Sequence, residues 1–400
     1  MKGDKFDGND YIGQVLQNGA AYAVGDRKDL PENDRIIIVD NVLQTLQRLA
    51  NYHRKQLNAN VIAITGTNGK TTTKELIAAA LSAEFKILFT QGNLNNHIGV
   101  PLTLLQLKPE HRFAVVEMGA NHPGEIQALC RIAEPDFGLI TNVGKAHLEG
   151  FGSFEGVIRT KTELYDFLRE KGGTVFGNLD NSILKDFYPS LNMIYYGTAP
   201  DAFVYGQITN SEPALKLKWT KTPESFYHCQ THLVGGYNFE NVMAAVCMAA
   251  YFGIDNEKIN GAIAGYVPQN NRSQNLQTDK NQLIIDAYNA NPSSMKAALD
   301  NFLALNVSPK MAILGEMKEL GAYSREEHQK LVARLSEANL DKVILCGENF
   351  ADCRSIAPEW LVFAQMPELL NYLQTENIFG YHILVKGSRA NQLEKTIPFL

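Results

Sequence analysis

Residues 61–73 read Val61-Ile-Ala-Ile-Thr-Gly-Thr-Asn-Gly-Lys-Thr-Thr-Thr73: an apolar strand, a turn with two glycines, a lysine, and the start of a helix. Gly66 and Gly69 let the backbone bend and approach an anion. N–H groups at a helix start point at that anion, and Lys70 adds positive charge. Thr71 follows where the Ser/Thr of a P-loop reaches a phosphate-bound Mg²⁺. The spacing departs from Gly-x-x-x-x-Gly-Lys, which would need glycine at Ile64. The bland alternative is a tight strand-to-helix turn with a solvated lysine.

Outward from this stretch, strand, loop and helix recur: Val61–Thr65, a helix from Thr71, then strands near Lys86–Thr90, Phe113–Glu117, Gly138–Asn142 and Thr174–Asn178. That order predicts an α/β fold with a mostly parallel sheet and helices on both faces. Residues 58–268 are expected to form this central P-loop ATPase domain. Four short runs (Met193–Tyr196, Ala202–Ile208, Leu215–Trp219, Phe226–His228) predict an antiparallel insertion beside the main sheet, followed by a helix over Asn238–Phe252. Polar residues 268–281 are the linker candidate. A second alternation follows, with strands at Leu283–Ala287, Lys310–Leu314, Lys342–Cys346 and His382–Lys386, giving a smaller Rossmann-like α/β domain over 269–400. Residues 1–57 read as a short α/β piece with a helix over Tyr11–Ala21, a strand over Arg35–Val39 and a helix over Val42–His53.

At 400 residues, 45% hydrophobic and 20% charged, the chain is too long for one core and is expected to form two or three domains. A net charge of -6, with no Lys/Arg run, argues against nucleic-acid binding. The first ten residues carry no apolar segment of a secretory signal. The longest apolar run, Val242–Phe252, is shorter than the ~18 residues that span a bilayer. These features predict a cytoplasmic protein without membrane contact. Cys130, Cys229, Cys247, Cys346 and Cys353 form no Cys-x-x-Cys pair and are expected to be reduced thiols, mostly buried.

Glu117 ends a predicted strand, where open α/β sheets place their ligands, and a carboxylate there suits Mg²⁺. The loop Gly92-Asn-Leu-Asn-Asn-His-Ile-Gly-Val-Pro101 is dense in amides, which in isolation would only make Asx turns. Asn142-Val-Gly-Lys-Ala-His-Leu-Glu149 again follows a strand, and His147 is a metal-ligand candidate, although a lone histidine is more often packed or solvated. Lys161, with Glu163 two residues on, reads by itself as a solvated helical lysine.

Taken in order, Thr65–Thr72, Gly92–Pro101, Glu117-Met-Gly-Ala-Asn-His122 and Ala146-His-Leu-Glu-Gly150 resemble the ATP-dependent Mur ligases. The resemblance covers the chain from about Lys2 to its end. It is strongest to the branch that joins D-alanyl-D-alanine to UDP-N-acetylmuramoyl-tripeptide in peptidoglycan synthesis. It implies that Gly66, Thr67, Asn68, Gly69, Lys70, Thr71 and Thr72 hold ATP, and that Thr71, Glu117 and His147 hold Mg²⁺. Lys161 then matches a lysine that such ligases carbamylate into an anionic metal ligand, since a bare ammonium would be repelled by the metal. Asn238 and Asn241 match asparagines on the adenine side of ATP, with Tyr237 in place of the usual histidine. Arg272 resembles an arginine that reaches the γ-phosphate. Lys70, His147, Lys161 and Arg272 thus become the catalytic set.

In the last domain, Asp286-Ala-Tyr-Asn-Ala-Asn-Pro292 resembles the segment facing ATP and the dipeptide. Asp286 falls on the ATP side, and Tyr288, Asn289 and Asn291 on the substrate side with Asn93, Asn95 and Asn96. Lys386, Ser388 and Arg389 suit a peptide carboxylate. The Asp-Asn-Pro-Arg signature of the diaminopimelate-adding relatives is absent. The resemblance further implies a monomer and closure of the domains near Arg272. In the family the first domain opens with a strand hairpin carrying a UDP-binding Ser/Thr-x-Asp-x-Arg segment. About thirty family residues are expected to precede the match to Met1, which would make 1–57 a truncated UDP-substrate-binding domain with unpaired strand edges. A folylpolyglutamate-synthetase-like ligase and a nucleotide-dependent switch protein are the alternatives.

Overall fold

The computed structural model describes residues 1–3, 5–269, 272–350, 357 and 359–400. Cys353 and the linker asparagines 270 and 271 lie outside them. Asn60–Thr65 sits inside a nine-stranded sheet, between Phe113–Glu117 and Phe137–Ile140. Its Val-Ile-Ala-Ile core is buried on both faces, as a central parallel strand requires. Alternate residues serve opposite layers: Val61 and Ala63 join one apolar cluster, Ile62 and Ile64 the other. Beyond Phe113–Glu117 lies the edge strand Ile87–Phe89.

On the other side the sheet continues through Thr174–Asn178, Asn192–Gly197, Val204–Asn210, Lys216–Thr220 and Tyr227–Gln230. This corrects the expected antiparallel insertion. Asn192–Gly197 and Val204–Asn210 extend the main sheet in parallel, and antiparallel pairing begins only at Lys216–Thr220. Asn192–Tyr196 pairs residue for residue with Thr174–Asn178, so a short run that reads as a hairpin strand is held in parallel by a strand of the main sheet. The helix Phe239–Tyr251, apolar almost all round, is buried against Lys70–Ser82.

A second, six-stranded sheet has the order Gln274–Gln277, Gln282–Asp286, His382–Lys386, Lys310–Gly315, Lys342–Cys346, Leu361–Phe363. Its first strand falls inside the expected linker, because Gln274–Gln277 folds back antiparallel on Gln282–Asp286 despite its polar composition. Apolar packing runs without a break from the first sheet into the helix of Met295 and Leu299.

The N-terminal segment also departs from expectation. Its first helix covers only Ile12–Gln17, after a 3₁₀ turn at Gly8–Tyr11, and the chain turns away at Gly19, whose φ is +97°. Ile36–Ile38 pairs in parallel with Ala23–Gly25 alone, leaving Val24, Ile37 and Ile38 exposed. Cys130, Cys229, Cys247 and Cys346 are buried free thiols, as expected. Among the described residues no helix is long and apolar enough to cross a membrane.

Asp136 fastens the helix Val42–Lys55 to the main sheet. Its Oδ2 accepts from the Val61 N–H at 2.8 Å and from Arg54 at 2.9 Å, and its Oδ1 accepts from Lys171 at 2.8 Å. Asp136→Ala removes the acceptor of one backbone donor and two cations, so stability should fall by about 1–3 kcal/mol. A urea midpoint unchanged from wild type would show that solvent replaces these bonds at no cost.

Candidate active site

Both glycines of the opening turn are required by their surroundings. Gly66 has φ +142°, and a Cβ there would lie 2.0 Å from Thr141 Oγ1; Gly69 has φ +78°, and its Cβ would lie 2.5 Å from Asn241 Oδ1. The turn is clasped by the end of the neighbouring strand. Thr67 N–H donates to Asn142 O at 2.9 Å, and Asn68 N–H to Asn142 Oδ1 at 3.0 Å. Asn142 Nδ2 returns a bond to Asn68 O at 3.1 Å. Lys70 begins the helix, and its ammonium folds back onto Gly66 O (2.8 Å) and Thr67 O (3.0 Å). Burial lowers its proton affinity, opposed by Glu117 and reinforced by Arg272.

Glu117 closes its strand as a buried carboxylate held by neutral donors. Thr71 Oγ1 donates to Oε2 at 2.9 Å and Asn95 Nδ2 to Oε1 at 2.8 Å. The donor set of hydroxyl, carboxylate and amide oxygen suits a hard cation. Among the described residues no group of three or more His, Cys, Asp and Glu could hold a metal unaided. Mg²⁺ bound through one or two carboxylates plus phosphate oxygens and water needs no such group.

These residues share a cleft of about 620 Å³ with the strand ends of the second sheet. Asn93, Asn95, Asn96 and His147 line it from the first sheet's loops, as do Asn238 and Asn241; Arg272, Asp286, Tyr288, Asn289, Asn291 and Lys386 line it from the other side. Asp286 and Lys386 are register partners on adjacent strands, and the buried Lys386 pairs with the partly exposed Asp286 at 2.5 Å. Lys386 also donates to Asn289 O at 3.2 Å, so its charge is engaged within the protein rather than held out for a peptide carboxylate. Arg272 stacks on Tyr288, 3.7 Å from the ring centre, and its buried Nε has no hydrogen-bond partner.

Other expected residues are placed differently. Ser388 is buried and donates to Asn391 Oδ1 at 2.6 Å, and the exposed Arg389 pairs with Glu394 at 3.2 Å; neither lines the cleft. Asn391 engages Ser388, whereas the Arg389 guanidinium also lies 5.8 Å from the ring centre of the cleft-lining Tyr288. Asn238 and Asn241 bond each other at 2.9 Å, and Asn241 accepts from Thr73 at 2.9 Å, so both brace the turn as well as face the cleft. Asn96 accepts the N–H groups of Ile98 and Gly99, shaping its own loop. Lys161 lies one layer behind the wall, with Nζ 3.5 Å from Ala120 O, and burial pulls its pKa down to about 7, with Lys70 adding to the shift. Asn142 and Tyr237 were not expected, yet both line the cleft. Asn142 could have been found by the strand-end rule that found Glu117.

The Mur ligase middle domain matches residues 64–249, and the Mur ligase glutamate ligase domain matches 271–389. A UDP-N-acetylmuramoyl-tripeptide–D-alanyl-D-alanine ligase of Bacillus subtilis (strain 168) is 34% identical, across 100% of this chain and 89% of its own. The crystal structure of MurF from Acinetobacter baumannii superposes with a TM-score of 0.87 at 31% identity, covering 100% of this chain and 88% of that one. The MurF ligase from Thermotoga maritima in complex with ADP gives 0.87 at 28% identity, covering 100% and 92%.

Gly69→Ala forces a side chain into left-handed backbone, a cost of roughly 1–2 kcal/mol, and drives Cβ against Asn241. Urea unfolding of Gly69→Ala, Asn241→Ala and the double variant should give non-additive losses, the double change removing the clash but not the backbone strain. Strict additivity would mean that the two positions do not touch.

Proposed function

Because the chain belongs to the Mur ligase family, among ligases that join D-alanyl-D-alanine to a UDP-N-acetylmuramoyl-tripeptide, we propose that its cleft performs this ATP-dependent amide synthesis. The observation that carries the reading is the convergence of two sheets' strand ends on one cleft. A phosphate-holding turn and a buried carboxylate lie on one side, and an arginine–tyrosine stack beside an ion pair on the other. On this reading residues 58–268 act on ATP and 269–400 on the acceptor, with 1–57 toward the UDP end.

A carboxylate is a poor acyl donor until its oxygen becomes a good leaving group. Transfer of the γ-phosphoryl group of ATP to the tripeptide carboxylate gives an acyl phosphate and ADP. The dipeptide amine then attacks the acyl carbon, the tetrahedral intermediate collapses, and phosphate leaves with loss of a proton from nitrogen. Gly69–Thr72 present N–H groups to the phosphates at the helix start, and Lys70 can turn from its two carbonyls to the phosphoryl oxygens. Arg272, whose buried Nε has no hydrogen-bond partner among the described residues, meets the charge that develops during transfer. Thr71, Glu117 and His147 would hold Mg²⁺, which when bound neutralises phosphate charge. Tyr288, Asn289 and Asn291 face the acceptor, with Asn93, Asn95 and Asn96 opposite.

Lys161 fits carbamylation in three respects: it is fully buried, no carboxylate among the described residues forms an ion pair with it, and a pKa of about 7 leaves much of it as the neutral amine that adds CO₂. The product is an anion directed toward a site that wants negative charge.

Phosphate release from ATP should require both UDP-N-acetylmuramoyl-tripeptide and D-alanyl-D-alanine. Release that ignores both substrates would favour a nucleotide switch and sink the ligase reading. Removing dissolved CO₂ should lower turnover and bicarbonate should restore it, whereas Lys161→Arg should be at least about 10-fold slower and unresponsive to either treatment. Turnover indifferent to CO₂ would eliminate the carbamate.

A further inference from the structure

His147 meets a carboxylate from the opposite side of the cleft. Its Nδ1 lies against Glu319 Oε2, and Glu319 belongs to the segment after the strand Lys310–Gly315 in the second sheet. Both residues occupy left-handed backbone that side chains avoid, His147 at φ +50° and Glu319 at φ +62°. Two such positions meeting across one interface is the pattern expected where surrounding structure enforces a geometry for use. The neighbouring contacts hold it there. Glu149 N–H donates to Glu319 O at 3.4 Å, and Gly321, at φ +53°, packs so closely that a Cβ would lie 3.1 Å from Glu149 Cβ.

Among the described residues Nδ1 is buried without a directed hydrogen bond, and the carboxylate against it is Glu319. Turning the ring N–H onto that oxygen would leave Nε2 its lone pair. His147 lines the cleft, on the same wall as Glu117 and Thr71. Histidines that bind metals commonly give their second ring nitrogen to a carboxylate, which sets the tautomer and raises ligand basicity. Here that carboxylate comes from the other sheet.

We propose that Glu319 is a positioning residue that completes the divalent-cation site by orienting His147 from across the cleft, so that the site reaches full affinity only when the second sheet is docked on the first. The inference rests on the reading of His147 as a metal ligand. Glu319 touches neither nucleotide nor cation; it acts through the imidazole.

Mn²⁺ titration of the full chain in the presence of ADP, followed by the electron paramagnetic resonance signal of unbound Mn²⁺, separates the two readings. Glu319→Gln, which keeps size and removes the charge, should weaken Mn²⁺ binding by about 10-fold or more, with Glu319→Asp recovering part of it. His147→Ala should weaken it at least as much, and the double variant no further, since the carboxylate acts only through the ring. Mn²⁺ binding unchanged in Glu319→Gln but weakened in His147→Ala would overturn the positioning role and leave His147 as a ligand. Binding unchanged in both would remove the metal reading of His147 and the inference together. A rise in the KM for D-alanyl-D-alanine in Glu319→Gln with an unmoved Mn²⁺ titration would make the contact a simple latch, and would also overturn the proposal. Glu319 is half exposed, so these variants leave the core intact.

Discussion

The strained turn at Gly66–Gly69 depends on the clasp that Thr141 and Asn142 place around it. The turn must bend sharply, leave the N–H groups of the helix start free for an anion and still satisfy its own polar groups. The adjacent strand supplies the partners: Asn142 exchanges both amide atoms with Asn68, its carbonyl takes the Thr67 N–H, and Thr141 Oγ1 donates to Asn68 O at 2.6 Å. Parallel pairing of Thr65 with Ile140 brings that strand end to the right height, so sheet register and phosphate site are one constraint. The same turn reaches across the cleft, where Asn291 Nδ2 donates to Asn68 Oδ1 at 2.8 Å. Asn291 also caps the helix Pro292–Ala304, so the second sheet's first crossover helix starts at the nucleotide turn.

Electrostatics in the cleft is incomplete on both sides. Glu117 is buried with neutral donors, Lys161 is buried beside one carbonyl, and Arg272 keeps an unsatisfied nitrogen. Asp286 and Lys386 show the opposite case, a buried ammonium whose pairing with a partly exposed carboxylate is complete. Groups left without a charge partner in a low-dielectric site are the ones arranged for something that arrives, here a polyphosphate with its cations and a carboxylate to be activated. The contrast separates residues that hold the walls together from those aimed at the reaction.

Strand-end residues were readable because their chemistry and their position follow from local rules. Gly66, Gly69, Lys70, Thr71 and Glu117 lie where a strand-turn-helix pattern and the strand-end rule put them. A short motif does not disclose that Asn391 and Glu394 engage the side chains of Ser388 and Arg389. The pairing of Asn192–Gly197 and the strand at Gln274–Gln277 were missed for a related reason: a strand's partner and direction are chosen by neighbours distant in the chain, and a polar composition does not forbid an edge strand.

By itself the sequence determined the α/β alternation, the anion-holding turn and the order of the motifs, since these depend on side-chain periodicity and on backbone freedoms that are local. Only the tertiary structure decided that Lys161 sits behind the wall, that Lys386 is held by Asp286, and that Glu319 crosses the cleft to His147. Those facts arise from strand register within the second sheet, from a helix packing on the first, and from the meeting of the two, which set burial and pair charges that no spacing along the chain connects.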